Sequence, residues 1–298
     1  MKFVSYNIQY GFGADGRYDL ARAAKVLAGA DVIALQEVER FWARSNEDDQ
    51  PELLAKLLPG YHWVYGPAFD MDASIRAGDG TVVNRRRQFG TMILSRLPIV
   101  WSRLHLLPMR RVASPLNTQN AALEAMIRTS WGPLRVFSLH LSHIGVGERL
   151  EQIDFLLERH RRVPFEGGPW SGVDDEPERG WSNGDAEPEA PLAAVWMGDF
   201  NSQPGSAEYR RISGDNPNRP SAAYYDEFVD AALAAGHKSD TFYTHRWTLD
   251  GKPQTRRLDY CFVGPMLRER VKSFRVDTDE TASDHFPVFI DIDLETPA

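Results

Sequence analysis

Short apolar runs that stop abruptly at polar residues recur along this chain, and most have the length of a strand. Lys2 to Ile8 is one, with Asn7 at its end and Tyr10, Gly11 and Gly13 in the loop beyond. Asp31 to Val38 (DVIALQEV) is a second, ending in the acid Glu37. The spacing predicts further strands at Tyr61 to Tyr65, Phe89 to Ser95, Ile99 to Leu107, Ala121 to Arg128 and Leu134 to Ser142. The last four follow one another through short turns, so antiparallel pairing is expected. Ala194 to Met197 is a buried run closed by Gly198. Arg257 to Val263 holds Asp259 inside it, Val271 to Val276 follows, and Ser283-Asp284-His285 leads into the final strand, Phe286 to Ile292.

A helical period predicts helices at Tyr18 to Ala28, Pro51 to Leu58, Gly147 to Arg161, Ser206 to Ile212 and Tyr225 to Ala235. Pro51 suits a first helical turn, and Gly236 a helix stop. Phe69 to Asn84 lacks a period and reads as a surface loop. Pro164 to Pro191, rich in Pro, Gly and acids, reads as a long surface loop that borders the cleft. Strands outnumber helices and no repeat is visible. The expected fold class is α/β (α+β): two stacked sheets with helices outside, as one domain over residues 1–298 with a loop insertion at 164–191.

Composition changes this picture little. Of 298 residues, 42% are hydrophobic and 26% charged, as in an ordinary globular chain. A formal charge of -8 argues against a long duplex-binding groove, which shows a basic stripe, although metal-binding carboxylates also make a protein acidic. The single cysteine, Cys261, excludes an internal disulfide and a cysteine zinc site, and its apolar run makes it a buried, inert thiol. No apolar stretch is long enough to cross a membrane and the N-terminal one is too short for a signal peptide, so a cytoplasmic location is expected.

Chemistry enters through the residues on which the runs stop. In AVWMGDFNSQP, Asp199 and Asn201 follow a buried strand and, by strand alternation, would share a face. An Asx-turn closing the strand would explain the pair without any chemistry. The test is whether other strand ends carry matching groups. They do: Asn7, Glu37, His140, Asp259, Asp284 and His285 all lie in or beside apolar runs, where uncompensated charge is costly. Oxygen donors from Glu37, Asn7 and Asp284, without cysteine, suit a hard cation, Mg²⁺ or Mn²⁺. Asp199 is placed to deprotonate a water, and a charged His285, oriented by Asp259, to hold a phosphate oxygen.

These motifs, in order SYNIQYG, ALQEVER, FGTMILSR, SLHLSH, GDFNSQPGSAEY, RRLDYCFV and SDHFPV, resemble the endonuclease/exonuclease/phosphatase superfamily, the deoxyribonuclease-I-like fold. The resemblance runs from Phe3 to Ile292. It implies a four-layer α/β sandwich of two mostly antiparallel sheets. It also implies a metal-dependent phosphoesterase in which Glu37 is the main metal ligand, with Asn7 and Asp284 contributing. Asp199 would activate water, Asn201 and His140 would contact the scissile phosphate, and His285 paired with Asp259 would stabilise the developing charge.

The family spans nucleases, inositol-phosphate phosphatases, sphingomyelinases and deadenylases. The acidic charge and the Pro-x-Ser after Asn201 lean toward a phosphodiester or phosphomonoester that is small or single-stranded. An endonuclease or exonuclease on DNA or RNA is the alternative. A non-catalytic binding protein is disfavoured, because Glu37, Asp199 and His285 are all present. At the rim, His143 and Arg87 are candidate substrate contacts, each with a solvated-surface reading beside it. Arg149 and Gln152 face either the site or water. Tyr10, Trp42, Tyr65 and Trp247 are candidate stacking residues, with core packing the expectation for most. His62, His105, His160, His237 and His245 sit in no motif.

Overall fold

The computed structural model describes residues 1–214, 222–238 and 240–295. In chain order the elements are β1 (Lys2–Asn7), α1 (Leu20–Leu27), β2 (Val32–Arg40), α2 (Gln50–Leu57), β3 (His62–Asp72), β4 (Ile75–Arg76), β5 (Val82–Val83), β6 (Arg86–Ser95), β7 (Ile99–Leu106), β8 (Ala121–Arg128) and β9 (Pro133–His140). Then come α3 (Val146–Glu166), β10 (Ala194–Asp199), α4 (Ala207–Ser213), β11 (Val229–Asp230), α5 (Ala231–Ala234), β12 (His245–Leu249), β13 (Lys252–Arg256), β14 (Asp259–Val263), β15 (Val271–Val276) and β16 (Val288–Ile292).

Two six-stranded sheets carry the fold, in the orders β15-β16-β1-β2-β6-β3 and β11-β14-β10-β9-β8-β7. Each holds one parallel pair, β1 with β2 and β9 with β10, and is otherwise antiparallel. Alternation along the strands sorts side chains into three apolar layers. Phe3, Ala34 and Ile93 of the first sheet meet Val136, Val195 and Met197 of the second between the sheets. Val4, Ile33 and Leu35 turn outward against Leu20, Leu27 and Leu54 of α1 and α2. Phe137, Leu139 and Trp196 turn outward against Ile153, Leu157 and Ile212 of α3 and α4. The result is the expected four-layer sandwich.

One glycine sets how closely the second sheet's parallel pair can approach. A Cβ on Gly198, where φ is 156°, would lie 1.9 Å from the Leu139 carbonyl oxygen. Only glycine lets β10 lie against β9 there, and that contact sets Asp199 beside His140.

Three sequence expectations are corrected. Phe69 to Asn84 is not a loop throughout: β3 stays paired with β6 out to Asp72 and Arg86, and β4 and β5 form a small hairpin beyond. This arm is exposed on both faces, braced by Arg86 Nε on Asp70 Oδ1 at 2.8 Å, so no buried face gives it an apolar period to reveal it. Tyr225 to Ala235 is not one helix. Val229 and Asp230 pair with β14, and Asp230 caps a helix that runs only from Ala231 to Ala234. Buried Asp230 also pairs with Arg257 at 2.8 Å, which fixes it at the sheet edge. Finally, the loop after α3 has both stems docked on the far end of the second sheet, away from His140. Trp101 Nε1 donates to the Glu189 carbonyl and Arg135 Nε to the Pro191 carbonyl, while Arg103 holds the carbonyls of Gly167 and Gly168.

Candidate active site

The inner faces of the two sheets are apolar along most of their length and turn polar at one end. On β1 the inward series is Phe3, Ser5, Asn7, and on β9 it is Leu134, Val136, Ser138, His140. On β10 it is Val195, Met197, Asp199, and on antiparallel β14 it is Val263, Cys261, Asp259. Each series therefore delivers one polar side chain to the same mouth between the sheets. Beneath them, Gln36 Nε2 bridges the sheets by donating to Ser138 Oγ at 2.9 Å.

Glu37 reaches this mouth by a different device. Alternation would turn it outward with Ile33 and Leu35. The pairing of β2 with β6 slips by one residue between Leu35 and Val38, and Glu37 sits at a left-handed φ of 59°. This β-bulge returns Val38 to the outer core and re-aims Glu37 toward Asn7. Gln9 and Asn201 are also left-handed, at φ 45° and 49°. Three non-glycine residues in this conformation around one cleft store strain of roughly 1–3 kcal/mol each, as functional sites do.

The side chains form one connected cluster. Asn7 Nδ2 donates to Glu37 Oε1 at 3.0 Å and to Asp199 Oδ2 at 3.2 Å. Asp199 Oδ2 also lies 3.6 Å from His140 Nε2 and 3.7 Å from His285 Nε2. His285 Nδ1 donates to Asp259 Oδ2 at 2.9 Å. Thr244 Oγ1 accepts the backbone N–H groups of Leu258 and Asp259, fixing the start of β14. Ser283 Oγ donates to the Asn7 carbonyl at 2.8 Å and ties the Ser283–His285 segment to β1. Gln9 Nε2 donates to Asp284 Oδ2 at 2.9 Å, and His245 Nε2 stands 3.7 Å from the same oxygen.

Asn201 joins the cluster, but not by strand alternation. Its backbone N–H donates to Asp199 Oδ1 at 2.9 Å in an Asx-turn, and its Nδ2 donates to the Leu141 carbonyl at 2.9 Å. The turn and the chemistry are therefore not exclusive: the turn pins one Asp199 oxygen and leaves the other facing the cleft.

Electrostatics follow from burial. Burial disfavours the charged form of His285, but Asp259, Asp199 and Asp284 outweigh it and push the ring up to about 10. Burial pushes the Asp259 carboxyl up as well. Both shifts describe one proton along a 2.9 Å bond, and the ring, the stronger base of the two, holds it. Burial also works to raise Asp284, yet His245 and His285 prevail and hold it below its ordinary value. Among the described residues, the ion pairs of Glu37, Asp199 and Asp284 are all with histidines and none is with Lys or Arg. A cluster of carboxylates so weakly neutralised, with oxygen donors throughout, is chemically suited to a hard divalent cation.

Other candidates lie outside the cluster. His143 is exposed on the loop after β9. Arg87 is exposed, its guanidinium 5.8 Å from the centre of the Trp42 ring. Arg149 pairs with Glu208 at 2.8 Å and bonds the Ser142 carbonyl, and Gln152 holds the Ser142 N–H and the Pro108 carbonyl. Both brace the loop behind His140. Tyr10, Trp42 and Trp247 are half-buried, whereas Tyr65 packs against the outer apolar cluster, with its hydroxyl donating to the Val38 carbonyl at 3.1 Å. Arg44 lies 3.8 Å from the Tyr10 ring centre and 4.6 Å from that of Trp42. His105 and His160 form a separate buried network with Glu124 and Arg135, between the sheet and the inner face of α3. Cys261 is buried, and burial pushes its thiol well up, as an inert core residue requires.

Sequence reasoning missed Gln9 and His245. Gln9 stands two residues after Asn7 inside SYNIQYG, and that proximity was its one signal. His245 lies in the polar β12–β13 hairpin, and a lone bridge between His245 and His285 brings it in.

The sequence matches the model of the Endonuclease/Exonuclease/phosphatase family over residues 4–132 and 154–285. No curated protein matches it. Among solved structures, an endonuclease/exonuclease/phosphatase from Beutenbergia cavernae DSM 12333 is 21% identical, with a TM-score of 0.60 over 99% of this chain and 72% of that one. A mannosyl-6-phosphatase from Bacteroides thetaiotaomicron VPI-5482 is 18% identical, with a TM-score of 0.62 over 98% and 99%. TDP2 from Caenorhabditis elegans is 14% identical, with a TM-score of 0.59 over 98% and 74%. At these identities the likeness speaks for the fold. Among the described residues no helix is long and apolar enough to cross a membrane.

Proposed function

The chain belongs to the endonuclease/exonuclease/phosphatase family, and on that footing we propose that it is a metal-dependent phosphoesterase acting through an activated water. The observation that carries this reading is Asp199 Oδ2, which lies within 3.7 Å of Asn7, His140 and His285 at once. Glu37, Asn7 and Asp284 are the residues that would hold Mg²⁺ or Mn²⁺. Such a cation, when bound, polarises a phosphoryl oxygen and neutralises charge on the ester.

The chain's own residues supply the rest. Asp199, pinned at Oδ1 by the Asn201 N–H, offers Oδ2 as the acceptor of a water proton. His285 keeps its charge because Asp259 lies behind it, so its Nε2–H can hold a phosphate oxygen as negative charge grows. His140 Nε2, beside Glu37 and Asp199, faces the same volume and supplies a second contact. Asn201 donates one Nδ2–H to the Leu141 carbonyl and has a second to offer a phosphate oxygen. Arg87 and His143 are outer contacts for a larger substrate.

We place the substrate among small or single-stranded phosphate esters, because the acidic charge disfavours avid duplex binding. The half-buried Tyr10, Trp42 and Trp247, each with an Arg near its ring, favour a second reading, a nuclease on single strands. A panel of phosphomonoesters, phosphodiesters, single-stranded oligonucleotides and supercoiled plasmid separates the two. Turnover of at least one class, abolished by EDTA and by Asp199→Ala or His285→Ala, is the expected result. Wild-type turnover in both variants would overturn the assignment.

A further inference from the structure

Two residues outside every motif role converge on a single oxygen atom. Gln9 Nε2 donates to Asp284 Oδ2 at 2.9 Å, and His245 Nε2 lies 3.7 Å from it. Among the described residues, the other oxygen, Oδ1, has only a long 3.3 Å approach from Ser283 Oγ. Neither partner is there by default. Gln9 holds a left-handed φ of 45°, a conformation costing a non-glycine residue roughly 1–3 kcal/mol, with its N–H on Asn7 Oδ1. His245 is buried between neighbours on both sides: its ring stacks on Trp247 at 5.5 Å and lies 4.5 Å from the ring of His285.

The tautomer of His245 follows from its other nitrogen. Arg256 donates Nε–H to His245 Nδ1 at 3.2 Å. A guanidinium has no acceptor to offer, so Nδ1 is unprotonated and the ring carries its proton on Nε2, the atom aimed at Asp284. Arg256 is itself held over Trp247, 4.6 Å from the ring centre. A chain from Trp247 through Arg256 and His245 thus ends on the same carboxylate oxygen that Gln9 holds.

We infer that Gln9 and His245 are positioning residues for Asp284: they fix Oδ2 and leave Oδ1 as the oxygen presented to the cation. This rests on the metal reading above. Partners of this kind typically contribute 10- to 100-fold to metal affinity.

The test compares residues of similar size with and without an N–H donor, by titrating the substrate-free protein with Mn²⁺ and following free Mn²⁺ by electron paramagnetic resonance. Gln9→Met and His245→Met are expected to weaken Mn²⁺ binding by about 10- to 100-fold. His245→Gln, which keeps a donor, is expected to recover most of that loss. Wild-type affinity in both Met variants, with Asp284→Asn impaired, overturns the inference and leaves the metal reading standing. Wild-type affinity in Asp284→Asn removes Asp284 as a ligand, and the positioning role falls with it. Circular dichroism of the Met and Gln variants confirms that each is folded before titration.

Discussion

His285 donates Nδ1–H to Asp259 Oδ2 at 2.9 Å in a site where both residues are buried. The carboxylate is what keeps a buried imidazole charged, and it also fixes which nitrogen faces the cleft. Asp259→Asn retains an acceptor of nearly the same shape but removes the charge. Its kcat is expected to fall by about 100-fold or more while KM changes little, because the lost interaction is strongest in the transition state. Steady-state kinetics on any accepted ester decides it. A rise in KM at constant kcat would assign the pair to ground-state binding instead.

Glu37 sits at φ 59° in a β-bulge, a conformation that costs a non-glycine residue roughly 1–3 kcal/mol. Asn accepts left-handed backbone more readily than Glu. Glu37→Asn is therefore expected to raise the metal-free thermal midpoint by about 1.5–2 °C, the shift that roughly 1 kcal/mol gives in a chain of 298 residues. It is expected to abolish turnover at the same time. Thermal unfolding in EDTA measures the first effect and an ester assay the second. A lower midpoint would show that Glu37 contributes to the fold and is not held there against it.

A different histidine sets the acid stability. His160 lies on the buried face of α3 with Nδ1 accepting from Arg135 at 2.6 Å. Burial, and then the Arg135 charge, push its ring down to about 3. The unfolded ring titrates near its ordinary 6.5, so between these values the unfolded chain binds the extra proton. Stability from this group is complete above pH 6.5 and declines as pH falls toward 3. At pH 5 the loss is roughly 1–2 kcal/mol. His160→Gln keeps an acceptor for Arg135 but does not titrate, so its stability is expected to fall less between pH 7 and pH 5. Parallel urea titrations at the two pH values test this, and identical losses in both proteins would rule His160 out.

How much of the site could be read in the sequence follows from how each residue gets there. Asp199, Asp259 and His140 end apolar series of period two, so the switch from core to polar is visible in the sequence itself. Glu37 stands out as an acid in an apolar run, but alternation alone would send it outward, and the bulge that turns it inward leaves no mark in composition. His245 arrives on a polar hairpin whose two faces are both partly wet, and Gln9 by a left-handed turn, so neither has a period to betray it. The same reason hid the β4–β5 arm. At residues 225–235, an apolar face long enough for a helix lost to the buried pairing of Asp230 with Arg257. Periodicity records what faces the core. It is silent on side chains placed by backbone exceptions.

Gly198 joins the fold to the site most directly. A Cβ there would lie 1.9 Å from the Leu139 carbonyl oxygen, far inside contact distance and against backbone, not a flexible side chain. Gly198→Ala must therefore separate β9 from β10 at their last pairs, Gly198 with Leu139 and Asp199 with His140. Overpacking of this kind in a buried strand typically costs about 1–3 kcal/mol, and the left-handed-side φ of 156° adds to it. The consequence for catalysis is expected to exceed that for stability, since Asp199 Oδ2 loses its 3.6 Å relation to His140 Nε2. At a temperature where the variant is still fully folded by circular dichroism, kcat/KM is expected to be down by at least 100-fold, as a 1 Å misplacement of a reacting group gives. A folded Gly198→Ala protein with wild-type kcat/KM would show that the spacing of β9 and β10 does not set the geometry around Asp199.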